Sequence, residues 1–383
     1  MRPLLALLLA VLCFPAVSAA RPKPAEPDTL TWRSIGYREP WTQLGMARRF
    51  PVMDSMAVAI VAELAARRER DSLRVGVALL DLVEIACLNG RGREPGVLAQ
   101  LERARAICTA HPGPDSLLYA RSLRAASELY RRRREPDRAQ FEITRALAIY
   151  ERALPADHLE LGATLRQASN VASSAQRGGR LSEATRALAI MVHRFGPDDV
   201  RTLSAYSSLA AQQNIAGDQL GSLANLEHML RLMEASLGPD HPDVDQTRYN
   251  VALVSMRVGD LVRARGLLER VIAWESSVAR VDTVRLGYSV GGYMECLNDL
   301  GDHEEALAVQ RRWQPVLQRA FPVGDPSRYD RLHEQARALA ATGRGREAVA
   351  LFDSTIAFEA RFNDSTSALP MLFERAGALR VAG

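Results

Sequence analysis

The stretch Leu237-Gly238-Pro239-Asp240-His241-Pro242-Asp243-Val244 decides the fold of this chain. A glycine and two prolines within one short stretch predict a tight loop, and Asp243, just after a proline, is typical of a helix N-cap. Gly259-Asp260 predicts where that helix ends, because glycine favours the left-handed backbone that closes many helices. A second amphipathic helix then extends from Leu261 to about Glu275. Residues 237–244 and the two helices that follow them therefore predict an antiparallel pair of helices.

The same arrangement, a turn glycine followed by the start of a helix, recurs along the chain. Four turn glycines stand 42 residues apart, and another precedes them by 38 residues: Gly179, then Gly217, Gly259, Gly301 and Gly343. A small residue follows each glycine by five positions: Ala184, Ser222, Ala264, Ala306 and Ala348. Four positions later stands a large apolar residue, except in one repeat: Leu188, Leu226, Leu268 and Phe352, with Gln310 as the exception. The small residue lets two helices cross closely and the large one fills the seam, while Arg134 takes the place of the glycine in an earlier copy.

This pattern resembles the tetratricopeptide repeat (TPR), and the 42-residue period with the quoted loop resembles its kinesin-light-chain-like subclass. The family also has a small residue at a fixed position in the first helix of each repeat. At that position this chain has Ala172, Ala210, Ala252 and Ala336, with Met294 as the exception. The resemblance extends over residues 71–383 and is clearest over 158–362. It implies an all-α fold, a right-handed α-solenoid (superhelix) of antiparallel helix hairpins with about seven TPR-like repeats.

The first twenty residues have the parts of a signal peptide. Arg2 supplies the positive charge, residues 4–14 form an apolar run too short to span a membrane, and Val17-Ser18-Ala19 has a small-x-small cleavage pattern. We expect residues 1–20 to be removed on export to the periplasm or the extracellular space, with no membrane insertion afterwards; an uncleaved anchor is the alternative. Residues 21–50 should form a Pro-rich linker and an N-terminal cap, and residues 51–383 the TPR-like α-solenoid.

Charge and cysteine content bear on two questions, whether the partner is a nucleic acid and whether the chain has a disulfide. The net charge is +4, with 49 Lys and Arg against 45 Asp and Glu, and the basic residues are mainly arginine. Together with export, this argues against nucleic acid as a partner. Cys87, Cys108 and Cys296 remain after the signal, and the first two should be too far apart on antiparallel helices to form a disulfide. Buried free thiols are expected.

No catalytic or cofactor motif stands out. The Gly178-Gly179 and Gly291-Gly292 pairs lack the context of a phosphate-binding loop, and neither GxSxG nor HExxH occurs. His158 and His241 lie beside aspartates in loops between repeats. A metal site needs three or four converging ligands, so we interpret these histidines as loop and cap residues. The sequence predicts a non-catalytic protein with no cofactor and no metal.

The resemblance implies that the first helix of each hairpin lines a concave groove that binds a protein or an extended peptide. Carried onto this chain, the groove positions that we single out are Arg121, Arg124, Arg131, Arg166, Ser169, Gln176, Ser207, Asn214, Tyr249, Tyr288, Asn298 and His333. The first four are arginines, whose guanidinium groups pair with carboxylates in two-point geometry, and they favour an acidic partner. The alternative is a solvated face on which arginine stems cover apolar surface.

The leading hypothesis is an exported, non-catalytic scaffold that binds a protein or peptide in this groove. One alternative is a regulatory or docking TPR region of a larger enzyme, truncated at its C-terminus, and another is a structural homo-oligomer. Residues 366–382 predict one more first helix with a rather apolar outer face, although a closing helix is normally polar there. Either this helix is a short terminal cap or the sequence is a fragment of a longer chain.

Overall fold

The computed structural model describes residues 55, 57–59, 61–62, 73–110, 116–174, 180–278, 281–362 and 369–382. These residues form α-helices, short connections and two 3-10 turns, Arg91–Arg93 and Val200–Thr202, and no strand occurs among them. The all-α prediction is confirmed. The predicted signal peptide, the predicted linker and Gln176 lie outside the described residues.

The helices follow one another with short connections. In chain order they are α1 (Leu73–Leu88), α2 (Pro95–Ala110), α3 (Leu117–Arg132), α4 (Pro136–Ala153), α5 (Leu159–Ser174), α6 (Leu181–Phe195), α7 (Leu203–Ile215), α8 (Gln219–Leu237), α9 (Pro242–Arg257), α10 (Leu261–Ser277), α11 (Thr283–Leu300), α12 (His303–Ala320), α13 (Pro326–Ala341), α14 (Gly345–Phe362) and α15 (Leu369–Ala382).

The chain divides into two compact units, residues 1–216 (unit 1) and 217–383 (unit 2). Within each unit the helices pair into hairpins, α1–α2, α3–α4 and α5–α6 in unit 1 and α9–α10, α11–α12 and α13–α14 in unit 2. We call the odd-numbered helices first helices and the even-numbered helices second helices. Within a unit, each first helix packs against neighbouring first helices, as α1, α3 and α5 do in unit 1 and α9, α11 and α13 do in unit 2. We call this layer the first-helix face of its unit. The arrangement confirms the predicted solenoid of helix hairpins.

Each unit has its own apolar core. Leu123, Tyr150 and Leu165 are fully buried in unit 1, and Leu268 and Phe352 in unit 2. The small residues that follow the turn glycines are also buried, as predicted: Ala184, Ser222, Ala264, Ala306 and Ala348. A larger side chain at these buried places would disturb the packing of neighbouring helices, which explains the recurrence of small residues.

The loop at residues 237–244 starts α9 as predicted, but a different residue caps the helix. The N-cap is His241 and not Asp243, because His241 Nδ1 accepts a hydrogen bond from the Asp243 backbone N–H at 3.2 Å. Pro242 occupies the first helical position, where no intrahelical N–H bond is needed, and Asp243 places a negative charge in the first turn. His158 accepts from the Glu160 N–H at 3.1 Å in the same way. The interpretation of both histidines as cap residues is confirmed.

The turn glycines have the left-handed backbone that the sequence predicts. The φ angles of Gly217, Gly259, Gly301 and Gly343 are 83°, 83°, 86° and 81°. Arg134 has a φ of 63° in the equivalent turn after α3, and the Glu135 N–H behind it donates to the Tyr130 carbonyl at 2.9 Å. A residue with a Cβ thus adopts the conformation that glycine adopts in the other turns, with the same hydrogen-bonded closure of the helix.

Replacing Arg134 with Gly should raise the free energy of unfolding by up to about 1 kcal/mol. A left-handed backbone costs a residue with a Cβ about 1–2 kcal/mol, and the greater freedom of glycine in the unfolded chain offsets part of the gain. Urea denaturation measures the difference. Arg138→Gly, within α4, is the matched control and should be destabilising by about 1 kcal/mol. A similar loss at both positions would contradict strain at Arg134.

Cys87, Cys108 and Cys296 are free and buried, as predicted. Burial raises the pKa of the Cys87 thiol to about 12 and the pKa values of Cys108 and Cys296 to about 11. The thiols are therefore protonated at neutral pH, and a protonated thiol is a poor nucleophile.

The last described helix, α15, has an apolar outer face, as predicted. Phe373 is 78% exposed, and Leu372 and Leu379 are also exposed. Neither α15 nor any other described helix combines the length and the apolar character that crossing a membrane requires.

Candidate functional site

Four predicted groove arginines belong to the first helices of unit 1, three on α3 and one on α5. Arg121 is buried, and its Nη2 pairs with Asp81 Oδ1 at 2.5 Å and with Glu84 Oε2 at 2.8 Å, both on α1. Arg124 pairs with Glu160 at 2.9 Å and lies 3.6 Å from Glu84. Carboxylates of this chain therefore already neutralise Arg121 and Arg124, whose charge was expected to face a partner.

Burial shapes the protonation of this ion network. Burial raises the pKa of Asp81 to about 7 against the opposing effect of Arg121, and the charge of Glu84 adds to the rise. Burial also acts to raise the pKa of Glu84, but Arg121 and Arg124 hold it below its usual value. Asp81 and Glu84 thus share one guanidinium, although the two carboxyl groups differ in pKa. The network ties α1 to α3 and is not an open cationic patch.

The other two arginines differ from each other. Arg131 pairs with Glu128 Oε1 at 2.6 Å, and Arg132 reaches the same oxygen at 2.8 Å. Arg166, half-buried on α5, makes no hydrogen bond or ion pair through its guanidinium with any residue that the structure describes. Burial and the charge of Arg124 lower the pKa of Arg166, and Glu128 only partly opposes them. Arg166 therefore has hydrogen-bond donors for a ligand that Arg121 and Arg124 do not have.

The polar residues predicted for the middle of the groove divide by burial. Ser169 is fully buried, and its Oγ donates to the Arg166 carbonyl at 2.8 Å, so its side chain does not reach the surface. Ser207 is exposed on α7, and Asn214 is half-buried near the end of that helix. Ser207 and Asn214 remain candidates for contact with a partner.

Two predicted tyrosines form a row along the first-helix face of unit 2. Tyr249 Oη on α9 donates to the carbonyl of Tyr288 on α11 at 3.5 Å, and Tyr288 Oη lies 3.0 Å from Ser327 Oγ on α13. Tyr288 is 42% exposed, and its ring meets the Phe321 ring at a steep angle with 5.0 Å between centroids. An aromatic ring that is held in place and carries a polar tip suits recognition of a peptide or protein.

Asn298 and His333 join first helices to one another. Asn298 is buried, and its Nδ2 donates to both the carbonyl and the carboxylate of Glu334 at 2.9 Å. His333 Nε2 lies 2.5 Å from Glu374 Oε2, which links α13 to α15. The Asn298 side chain is therefore below the surface, and the half-buried His333 is engaged by this chain.

Docking of α15 should depend on pH through His333 and Glu374. Burial lowers the pKa of His333, but Glu374 and Glu334 outweigh it and the pKa is raised overall. Burial raises the pKa of Glu374, but His333 and Arg337 hold it below its usual value. The histidine contribution is complete below its ordinary pKa of about 6.5 and is lost as the pH rises through the raised value. The glutamate contribution is complete above its ordinary pKa of about 4.3 and is lost as the pH falls through the lowered value.

Hydrogen exchange of the α15 amides, corrected for intrinsic rates, should show the greatest protection at mildly acidic pH and a decline towards alkaline pH. His333→Gln should remove most of that decline. His303→Gln, which changes a histidine 3.2 Å from Asn298 Oδ1, should preserve it. Asp330, whose pKa is raised by burial, and Arg337 stay in place in both variants. An unchanged profile in His333→Gln would contradict this account.

Sequence reasoning missed the carboxylates that neutralise the arginines. Asp81 and Arg121 are 40 positions apart, and so are Asp245 and Arg285, which pair between α9 and α11 at 2.6 Å. Both aspartates are buried. A separation close to the repeat period places two residues on neighbouring first helices. Pairing acids with arginines at that separation would have identified both ion pairs.

The described first-helix faces offer hydroxyls, aromatic rings and the guanidinium of Arg166, which are groups suited to recognition. Within the described part of the chain, no group of three or more His, Cys, Asp or Glu side chains is placed to hold a metal ion.

No protein-family model matches this chain. Among solved structures, a Rap protein complexed with competence and sporulation factor has a TM-score of 0.55 and 13% identity, covering 91% of this chain and 98% of that chain. The apo form of RapI has a TM-score of 0.58 and 10% identity, covering 89% of this chain and 95% of that chain. TPR-like repeats assigned to a kinesin light chain of Podosopora anserina have a TM-score of 0.48 and 17% identity, and the match covers 54% of this chain and 98% of that chain.

These similarities concern the fold. The repeated hairpins with glycine turns and buried small residues, together with the match to two solved structures over most of the chain, show a TPR-like repeat fold.

Proposed function

We propose that this chain is an exported, non-catalytic scaffold that binds a protein or an extended peptide across its first-helix faces. The observation that carries the proposal is the row of Tyr249, Tyr288 and Ser327 on three successive first helices of unit 2. A segment that crosses these helices meets a polar group on each, and the exposed Tyr288 ring supplies apolar contact.

Arg166 supports an acidic group in the part of the partner that contacts unit 1. Unlike Arg121 and Arg124, it has no carboxylate of the described chain in an ion pair. A partner carboxylate would gain two parallel hydrogen bonds from this guanidinium and would compensate its charge. The acidic preference proposed for the partner thus rests on this residue.

The fold and the N-terminal sequence also support the proposal. A protein of this fold has been solved in a complex, the Rap protein with competence and sporulation factor. The apolar run and the small-x-small pattern within residues 1–20 support export to the periplasm or the extracellular space.

Capture of partners by the tagged chain from periplasmic or secreted extract, quantified by mass spectrometry, tests the binding role. Tyr288→Ala and Arg166→Gln should each reduce recovery of the partner about tenfold or more, because exposed aromatic and arginine anchors dominate many interfaces. Val262→Ala and Arg319→Gln, which change exposed residues on the second helices α10 and α12, should leave recovery unchanged. Equal recovery with all four variants would contradict the proposed surface.

A further inference from the structure

A polar pocket of about 300 Å³ lies between α12 and α13 in unit 2. Apolar side chains form part of its wall, among them Leu317 and Phe321. The rest of its lining consists of three arginines, Arg311, Arg328 and Arg331, and four glutamines, with no aspartate or glutamate. A concave site with some apolar wall and converging polar groups is the usual form of a small-ligand site.

The three arginines of the pocket lack the partners that other arginines of the chain have. None of them makes a side-chain hydrogen bond or ion pair with a residue in the described ranges. By contrast, Arg265 on α10 pairs with Asp302 at 2.8 Å and with Glu305 at 2.9 Å. Three positive charges therefore border one cavity without a paired counter-charge.

Arg331 provides the strongest observation. Its Nε and Nη1 are buried and have no hydrogen-bond partner. Burial raises the pKa values of Glu295 and Asp330, and the charge of Arg331 is close enough to oppose that rise, but neither carboxylate forms an ion pair with it. A buried, charged donor without an acceptor is costly and therefore requires an explanation.

The chain makes room for this guanidinium. Gly291 lies within α11, and a Cβ built on it would be 1.2 Å from Nη1 and 2.1 Å from Cζ of Arg331. Glycine inside a helix lowers helix stability relative to alanine. Glycine at position 291 thus makes α11 less stable than alanine would, but it leaves the space that Arg331 occupies.

The repeat pattern has an exception at this pocket. Gln310, half-buried on α12, occupies the seam position that other repeats fill with a large apolar residue such as Leu268 or Phe352. Gln310 is one of the residues that line the pocket. An amide both donates and accepts hydrogen bonds, so it extends the donor set of the arginines and can also accept from a ligand hydroxyl.

We propose that this pocket binds a small oxyanion ligand, a carboxylate or a phosphate, with Arg331 as its main anchor. Guanidinium groups pair with both anions through parallel N–H···O bonds, and such a ligand would compensate the charge of Arg331, which pairs with no carboxylate of the described residues. The oxyanion belongs either to a free small molecule or to an acidic side chain of a bound peptide. The proposal goes beyond the partner-binding role, because the pocket can be occupied whether or not a partner lies on the first-helix face.

Isothermal titration calorimetry of the full chain at low ionic strength tests the pocket with citrate, inorganic phosphate and acetylated tri-glutamate as probes. At least one probe should bind the wild type. Arg331→Gln should weaken that binding by about tenfold or more, since a charge-assisted bidentate contact is lost. Tighter binding of citrate or phosphate assigns the site to a free small molecule, and tighter binding of tri-glutamate assigns it to a peptide side chain.

Gly291→Ala is a second variant that keeps every charge. Its Cβ displaces the flexible end of Arg331, while alanine favours the helix, so the variant should fold and still bind the probe about tenfold more weakly. Arg319→Gln, on the same helix as Arg311 but outside the pocket, should change binding by less than about twofold. The proposal is overturned if no probe binds the wild type, or if Arg331→Gln and Gly291→Ala bind as the wild type does. It is also overturned if Arg319→Gln weakens binding as much as they do.

Discussion

Replacing Arg121 with Met is expected to lower the free energy of unfolding by about 3–5 kcal/mol, because it leaves buried carboxylates without their cation. Arg121 joins Asp81 and Glu84 on α1 to α3, and the Asp81 side chain is 4% exposed. Urea denaturation followed by far-ultraviolet circular dichroism measures the loss.

The same variant should become relatively less stable as the pH rises. Burial already raises the pKa of Asp81 to about 7, and without Arg121 the charge that opposes this rise is missing. A carboxyl group with a raised folded-state pKa contributes its stability below its ordinary pKa and loses it as the pH rises through the raised value. The penalty of Arg121→Met should therefore be larger at alkaline than at acidic pH.

Arg132→Met is the matched control for Arg121→Met. Arg132 also pairs with a carboxylate, Glu128, but its side chain is 38% exposed. A partly exposed ion pair contributes about 1 kcal/mol or less. Adding Asp81→Asn to Arg121→Met should recover part of the stability, since it removes one of the orphaned charges. Equal losses for Arg121→Met and Arg132→Met would contradict the structural role assigned to the network.

Phe352→Ala is expected to destabilise unit 2 by about 3–5 kcal/mol. The Phe352 side chain is fully buried on α14, at the seam position that follows Gly343 and Ala348, and its ring meets the His333 imidazole with 5.8 Å between centroids. Truncation removes its buried apolar surface and leaves a cavity that the surrounding helices fill only partly. Urea denaturation and hydrogen exchange of α13 and α14 report the loss.

Phe141→Ala is the matched control, because Phe141 is 61% exposed on α4 in unit 1. A substitution of this kind on the surface should cost less than about 1 kcal/mol. If Phe352→Ala were as mild as Phe141→Ala, the seam position would not be the packing point that the repeat pattern indicates.

The hairpins could be predicted from the sequence, because they depend on local backbone chemistry repeated at a fixed period. Gly259 ends α9 with a positive φ, and Ala264 is buried where α10 crosses it. The residue that caps α9 could not be predicted from the sequence in the same way. His241 and Asp243 can both accept a hydrogen bond, and the choice between them depends on Pro242 taking the first helical position.

The binding residues were harder to predict, because the family pattern marks helix positions and does not tell which of them this chain already occupies. Arg121 and Arg166 are the same residue type on neighbouring first helices, yet one is paired with two carboxylates and the other with none among the described residues. Asn298 is at a groove position but bonds to Glu334 of the neighbouring first helix. These differences come from contacts between repeats, which a pattern within one repeat does not contain.

Site-specific photo-crosslinking of the whole chain tests the partner-binding role most directly. A photoreactive amino acid replaces Ser207 or Tyr288 on first helices, or Leu220 or Val262, which are 72% and 77% exposed on second helices. After irradiation in periplasmic or secreted extract, mass spectrometry identifies what is attached. We expect a common partner to attach at Ser207 and Tyr288 and to be absent at Leu220 and Val262. Attachment at the second-helix positions instead, or no attachment at Ser207 and Tyr288, would contradict the proposed function.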